Sequence, residues 1–259
     1  MTYWRFIDSG SSNCYTNMAI DEAIFTARKN NLVGPTLRFY GWEPAAFSFG
    51  YSQIPEKEFN LDECSKRKID FVRRLTGGGI IYHNKELTYS ISCRQEEIGA
   101  DSKVKESYKK ICAFLIHSYR KLGLSVNFSC QETGSNSFCF AGREFYDIVI
   151  NGKKIGGNAQ KRSHDLIFQH GVIPLELDFK DALACLKNIP IDFNKNTCAL
   201  KDVLFRAISL GELKKIIKAS FEEIHNCELI QENLTNFEFN LLDELKEKYA
   251  QTAMAKEKN

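Results

Sequence analysis

Arg73-Arg74-Leu75-Thr76-Gly77-Gly78-Gly79-Ile80-Ile81-Tyr82-His83 is the stretch on which the reading of this chain turns. Three consecutive glycines between apolar, strand-like runs let a backbone pass close to a ligand and adopt positive φ. Backbone amides exposed there, flanked by two arginines and a hydroxyl, suit a phosphate, a carboxylate or an extended acyl chain. The run is no Walker loop, which needs Gly-Lys-Ser/Thr after its spacer, and no dinucleotide fingerprint. The competing account is a hairpin turn with solvated arginines.

Outward from the loop, strand-like and helix-like stretches alternate. Residues 71–74, 80–83 and 87–93 read as strands, and 60–68 as a helix with Asn60 as cap. Upstream, 3–7, 36–40 and 46–49 read as strands, and 16–28 as a helix striped by Met18, Ala19, Ala23 and Ile24. Downstream, 107–122 is the clearest helix, with Tyr108, Ile111, Cys112, Leu115 and Tyr119 on one face and Gly123 at its C-cap. Strands follow at 146–150, 154–156 and 166–173, with Asn151-Gly152 as a hairpin turn. Ser209…Glu212 and Thr235…Glu238 fit capping boxes, and Leu213, Ile216, Ile217, Phe221 and Ile224 recur at helical spacing. The expected class is α+β: a mixed or antiparallel β-sheet core with packed helices, spanning 1–208, and a helical C-terminal segment over 209–259 packed on it.

Composition narrows the function. The 259 residues carry 35 basic and 33 acidic side chains, a net +2 that gives no charge-driven hold on nucleic acid or anionic membrane. No apolar run reaches the ~18 residues of a membrane span, and no secretory signal opens the chain, so a cytoplasmic address is expected. Nine cysteines form no Cys-x-x-Cys pair and no zinc-finger spacing with histidine, so no metal is expected, and most of them read as small buried side chains.

The loop, continued through His83 and Glu86-Leu87-Thr88-Tyr89-Ser90, resembles the lipoate/octanoate protein transferase and ligase family. Asn17-Met18-Ala19-Ile20-Asp21-Glu22-Ala23 and Pro35-Thr36-Leu37-Arg38-Phe39-Tyr40-Gly41-Trp42 extend the likeness upstream. Gly152-Lys153-Lys154-Ile155-Gly156-Gly157-Asn158-Ala159-Gln160 and Phe168-Gln169-His170-Gly171 extend it downstream, to about residue 175. The resemblance implies the catalytic fold shared with biotin protein ligases, of class II synthetase type. It implies attachment of an eight-carbon acyl group to a lysine of a lipoyl-domain protein such as glycine cleavage H protein. It also places Arg74, Thr76, Gly77, Gly78, Gly79, Ile80, Ile81, Tyr82, His83, Gly156, Gly157, Ala159 and His170 around the substrate, the two histidines only in shaping the pocket.

Two chemistries occur in that family. Ligases activate the free acid with ATP and Mg as an acyl-adenylate. Transferases take octanoate from acyl carrier protein and need no cofactor. Cys139-Phe140, fifteen residues before Lys154, is similar to the acyl-enzyme thiol of the cysteine-using branch, the LipM-type octanoyltransferases. A thioester there splits the transfer into two exchanges of similar difficulty. A nearby ammonium, for which Lys154 is the candidate, favours the thiolate over a thiol of pKa ~8.5. Lys153, one residue earlier on a strand, should face the other way. The Glu86-Leu87-Thr88-Tyr89-Ser90 form matches the transferase branch, and the short helical tail leaves no room for a ligase's accessory domain. Ala141-Gly142-Arg143 and Gly157-Asn158-Ala159 depart from the transferase pattern. An ATP-dependent ligase with a separate accessory chain, and a non-catalytic lipoyl- or acyl-binding protein, are the alternative readings.

Overall fold

The computed structural model describes residues 2–100, 103–129, 146–188 and 195–252. Strand β1 (Thr2–Ser12) leads into helix α1 (Cys14–Lys29), which opens earlier than its apolar stripe because the Asn13 side chain caps it by accepting from the Thr16 N–H. Strands β2 (Thr36–Trp42) and β3 (Ala46–Phe49), the short helices α2 (Pro55–Glu58) and α3 (Leu61–Arg67), and strand β4 (Asp70–Arg73) follow. Then come β5 (Ile81–His83), β6 (Glu86–Arg94), α4 (Val104–Lys121) and β7 (Val126–Phe128). Strands β8 (Ile148–Ile150), β9 (Lys153–Ile155), β10 (Gly157–Ser163) and β11 (Leu166–Pro174) precede β12 (Thr197–Cys198) and α5 (Leu200–Val203). Helix α6 (Leu210–His225), strand β13 (Cys227–Gln231), α7 (Asn236–Asn240) and α8 (Leu242–Thr252) end the described chain.

The main sheet has the order β10-β11-β6-β2-β1-β13. Its β10, β11, β6 and β2 are antiparallel neighbours, while β2, β1 and β13 run parallel, so the architecture is α+β with a mixed sheet. A smaller sheet, β4-β3-β5, carries the glycine loop between β4 and β5, and a third, β12-β9-β8-β7, carries Lys154 on β9. Helix α4 buries Ile111, Cys112, Phe114, Leu115 and Tyr119 against Leu37, Phe39, Tyr89 and Ile91 of the main sheet. Each such side chain adds roughly 1.5–3 kcal/mol on full burial, so packing rather than propensity holds the helix.

The tail differs in one respect from a purely helical segment. Thr235 and Glu238 close the expected capping box, whereas Ser209 caps one way, accepting from the Glu212 N–H while the Glu212 carboxylate pairs with Arg206. Between them, however, Cys227 and Leu229 turn inward at strand period and β13 joins the main sheet beside β1. Helix α6 places Leu213, Ile217 and Phe221 in the same core as Trp4 and Phe114, while Ile224 faces solvent. No helix among the described residues is long and apolar enough to cross a membrane.

Candidate active site

One face of the main sheet and the glycine loop border a narrow cavity. Strand alternation chooses its lining. Gly157 and Ala159 of β10 sit opposite Val172 and His170 of β11, and Thr88 of β6 lies between Val172 and Tyr40 of β2. Trp42, Arg74, Ile81, His83 and Gly171 complete the wall. Of the residues expected at the substrate, Arg74, Ile81, His83, Gly157, Ala159 and His170 therefore meet at one cavity. Ile80 and Tyr82 pack instead with Phe47, Phe49, Phe59 and Phe71 in the aromatic core of the small sheet. Tyr82 sits between Ile81 and His83 on its strand and must face the other way.

The two arginines of the loop have opposite fates. Arg73 stays at the surface and donates to the backbone carbonyls of Tyr51 and Gln53 at 2.6 and 2.8 Å. Arg74 is 3% exposed and clasps the loop from within. It donates to the carbonyls of Gly77 at 3.0 Å and Gly79 at 2.8 Å, and to Ser48 Oγ at 2.9 Å. Gly78 has φ +91°, and a Cβ there would lie 3.3 Å from the Arg74 guanidinium, so the middle glycine answers to backbone conformation. The solvated-arginine hairpin thus describes Arg73 and fails for Arg74.

His83 and His170 are both buried. His83 lies between Glu86 and Ser48, and the indole of Trp42 stacks on it at 3.7 Å. Burial pushes its pKa down, the Glu86 carboxylate works against that, and Arg74 adds to the fall. His170 Nε2 lies 2.7 Å from Thr76 Oγ1, which ties the loop to β11. Its pKa is driven well below the usual value by burial, then by Arg74 and His83. Both rings are neutral at neutral pH. Beneath His170, Asp21 of α1 accepts from Arg38, Tyr40 and Ser90 at 2.7–2.9 Å, a buried carboxylate compensated by an arginine and two hydroxyls.

Lys154 is 4% exposed and its ammonium lies 2.8 Å from an Asp147 carboxylate oxygen, while Lys153 is exposed, as strand alternation predicts. Lys154 does not line the cavity; the chain passes from it through Gly156 to the cavity wall at Gly157. Gly156 has φ +74°, and a Cβ there would meet the Val172 carbonyl at 2.1 Å, so close passage of β9 into β10 requires glycine. Cys139 lies outside the described residues. The seven described cysteines are buried, and burial pushes the thiols of Cys14, Cys64, Cys112 and Cys227 up to about 12. None of those seven is prepared as a nucleophile.

Sequence reasoning gave no role to Ser48, Gly50, Glu86 or Asp147. Glu86 stood inside a recognised motif, and the burial of Lys154 next to a hairpin called for a nearby carboxylate, which Asp147 supplies. Ser48 and Gly50 carried no signal, because only the β3–β4–β5 pairing brings them under the loop.

The model of the lipoyl protein ligase A/B catalytic domain matches residues 13–222, and the chain belongs to that family. Octanoyltransferase LipM of Moorella thermoacetica is 36% identical over 260 residues, covering 95% of this chain and 95% of that one. Octanoyltransferase LipM of Bacillus subtilis is 35% identical over 266 residues, with the same 95% coverage of each. Among solved structures, a bipartite lipoate protein ligase of Thermoplasma acidophilum, described with its E2 lipoyl domain, superposes with a TM-score of 0.80 at 22% identity, covering 100% of this chain and 99% of that one. A lipoate-protein ligase A bound with ATP gives 0.79 at 24% identity, covering 96% and 95%. At such identities the structures speak to the fold.

Proposed function

We propose that this chain is an octanoyltransferase of lipoate biosynthesis that works through a cysteine thioester. The observation that carries the chemistry is a buried, carboxylate-paired ammonium, Lys154, fifteen residues after Cys139, in a chain whose full-length relatives are named octanoyltransferases. The Cys139 thiolate attacks the octanoyl thioester of acyl carrier protein. The carrier's C–S bond breaks, and its thiolate leaves and takes up a proton. The ε-amine of a lysine on a lipoyl-domain protein, such as glycine cleavage H protein, then attacks the Cys139 thioester. An amide forms, Cys139 leaves as thiolate, and the former amine sheds a proton. Each step exchanges one acyl bond for another, so neither ATP nor a metal is needed.

Lys154 favours the thiolate by its charge. The cavity of Ile81, Tyr40, Trp42, Ala159 and Val172 takes the acyl tail, whose burial at ~0.8 kcal/mol per methylene supplies several kcal/mol. Arg74 and the amides of Gly77 to Gly79 shape the carbonyl end. Residues 1–208 form the catalytic unit, on which the described part of the tail, to residue 252, packs while lending β13 to the main sheet, and the cytoplasm is the site of action.

Intact mass measurement after mixing with octanoyl carrier protein should show one octanoyl adduct, absent in Cys139→Ala. Cys139 should also alkylate fastest of the cysteines near neutral pH, and slow in Lys154→Ala as its pKa returns toward ~8.5. Acylation of the acceptor at the normal rate by Cys139→Ala, or pyrophosphate release with lipoate and ATP, would replace this reading with the ligase. Tight octanoate binding without turnover would replace it with a binding protein.

A further inference from the structure

Ser48, His83 and Glu86 form a chain of short hydrogen bonds that ends on the arginine clasping the glycine loop. His83 Nδ1 lies 2.5 Å from Glu86 Oε1, and His83 Nε2 lies 2.6 Å from Ser48 Oγ. Ser48 Oγ accepts from Arg74 at 2.9 Å. Glu86 Oε1 also accepts from the Thr88 hydroxyl at 2.8 Å, and Thr88 in turn accepts from the Trp42 indole N–H at 2.9 Å. Trp42 lies flat on His83, with 8° between the rings.

Donor and acceptor roles follow one another along this chain. A carboxylate only accepts, so His83 Nδ1 carries the proton. In the neutral ring Nε2 is then an acceptor, and the Ser48 hydroxyl must donate to it. That orientation turns a Ser48 lone pair toward Arg74, whose other terminal nitrogen holds the Gly77 and Gly79 carbonyls. Neither Ser48 nor Glu86 lines the cavity, whereas Arg74 and His83 do. Ser48 is nonetheless wholly buried, with its hydroxyl bonded to both His83 and Arg74.

We propose that Ser48 and Glu86 are positioning residues: a relay running from Glu86 through His83 and Ser48 holds Arg74, and through it the glycine loop, in the conformation that receives the acyl group. This inference rests on the acyl-transfer reading of the same site. The charged or titratable groups facing His83 are Glu86 on β6, Arg74 after β4 and His170 on β11. A second proton on His83 would sit on Nε2, so Ser48 Oγ would face two cationic donors at once and the grip on Arg74 would loosen. The relay therefore holds only while His83 is neutral. Because the Glu86 carboxylate raises the His83 pKa, its neutralisation moves the titration of His83 itself to lower pH.

Three measurements on the full chain test the relay. Nitrogen-15 shifts of His83 at neutral pH should show Nδ1 protonated and Nε2 as acceptor, a readout that needs no turnover. Ser48→Ala should lower kcat roughly ten- to hundredfold, the range for displaced catalytic geometry, with KM for the carrier little changed. Glu86→Gln should move the His83 titration, followed by the same nitrogen-15 shifts, to lower pH, which loss of packing alone would not do. An Nε2–H tautomer, an unmoved His83 titration in Glu86→Gln, or a folded Ser48→Ala within about twofold of wild-type kcat would each overturn the proposal. Should Ser48→Ala fail to fold, the tautomer and Glu86→Gln decide. A wild-type chain that transfers no octanoate sinks the proposed function, while the His83 shifts still decide the relay.

Discussion

Gly50→Ala is the substitution whose consequence the geometry defines most sharply. A Cβ on Gly50 would stand 2.0 Å from the Gly78 carbonyl oxygen, 3.0 Å from its carbon and 3.1 Å from the Gly77 carbonyl carbon. All three are backbone atoms, so no side-chain rotation relieves the clash. Ordinary carbon-to-oxygen contact begins near ~3.3 Å, so the loop and β3 must separate by about 1.3 Å. Arg74 reaches the Gly77 and Gly79 carbonyls at 3.0 and 2.8 Å, and such a shift stretches those bonds beyond useful length. Overpacking costs roughly 1–3 kcal/mol, offset by about 0.4–1 kcal/mol from a stiffer unfolded chain. The net is about 1–2 kcal/mol, or a Tm lowered by roughly 2–8 °C in a chain of this size. The effect on turnover should be larger, on the order of a hundredfold, because a displacement above 1 Å falls on the cavity lip. Gly34→Ala is the control: a Cβ there meets nothing within 4 Å, and both Tm and turnover should hold. Calorimetry and octanoyl transfer to an acceptor domain measure the pair. A Gly50→Ala protein with wild-type turnover and an unshifted Tm would show that the loop is not seated against β3 as described.

Further outcomes follow from the same packing. Gly171→Ala would bring a Cβ to 2.0 Å from Asn158 Oδ1 and 2.8 Å from the buried Tyr89 ring, so it should cost roughly 1–3 kcal/mol, and Asn158→Ala should recover only the part due to Asn158 in the double variant. Strict additivity in that cycle would refute the contact. His225 stacks on Trp4 and lies tilted against Phe221, its buried Nε2 has no partner among the described residues, and burial lowers its pKa to about 4. Above pH 6.5 the ring is neutral in both states; as pH falls toward 4 only the unfolded chain gains the proton, so stability is lost across that window. The loss through this group is about 2 kcal/mol between pH 7 and 5, and His225→Phe should remove it in urea titrations at the two pH values. An unchanged difference between those titrations would show that His225 is not held neutral by its burial.

Much of the site was legible because its requirements are local. Three glycines in a row advertise a backbone that needs room, and Gly78 uses it at positive φ. Lys153 and Lys154 separated by strand period alone, one exposed and one buried. The hairpin at Asn151-Gly152 formed with both residues at positive φ, as that dipeptide favours. The stripe of α4 buried the positions its 3.6-residue period selected.

What only the tertiary structure decided is partnership across long sequence separations. Arg73 and Arg74 are chemically identical neighbours, and which one is buried depended on which faces Ser48 once β3 and β4 pair. Ile80 and Tyr82 belong to the same motif as Ile81 and His83, yet line no part of the cavity, because successive side chains face opposite sides of the small sheet. Cys227-Glu228-Leu229-Ile230-Gln231 between two helices became a strand because β1 offered it a parallel edge more than two hundred residues away. Residue type, spacing and local period are written in the chain itself, and they determined the class, the loop and the chemistry sought. Hydrogen-bond direction and burial depend on groups that folding alone brings within three ångströms, and so the relay behind Arg74 and the carboxylate beside Lys154 came from the structure.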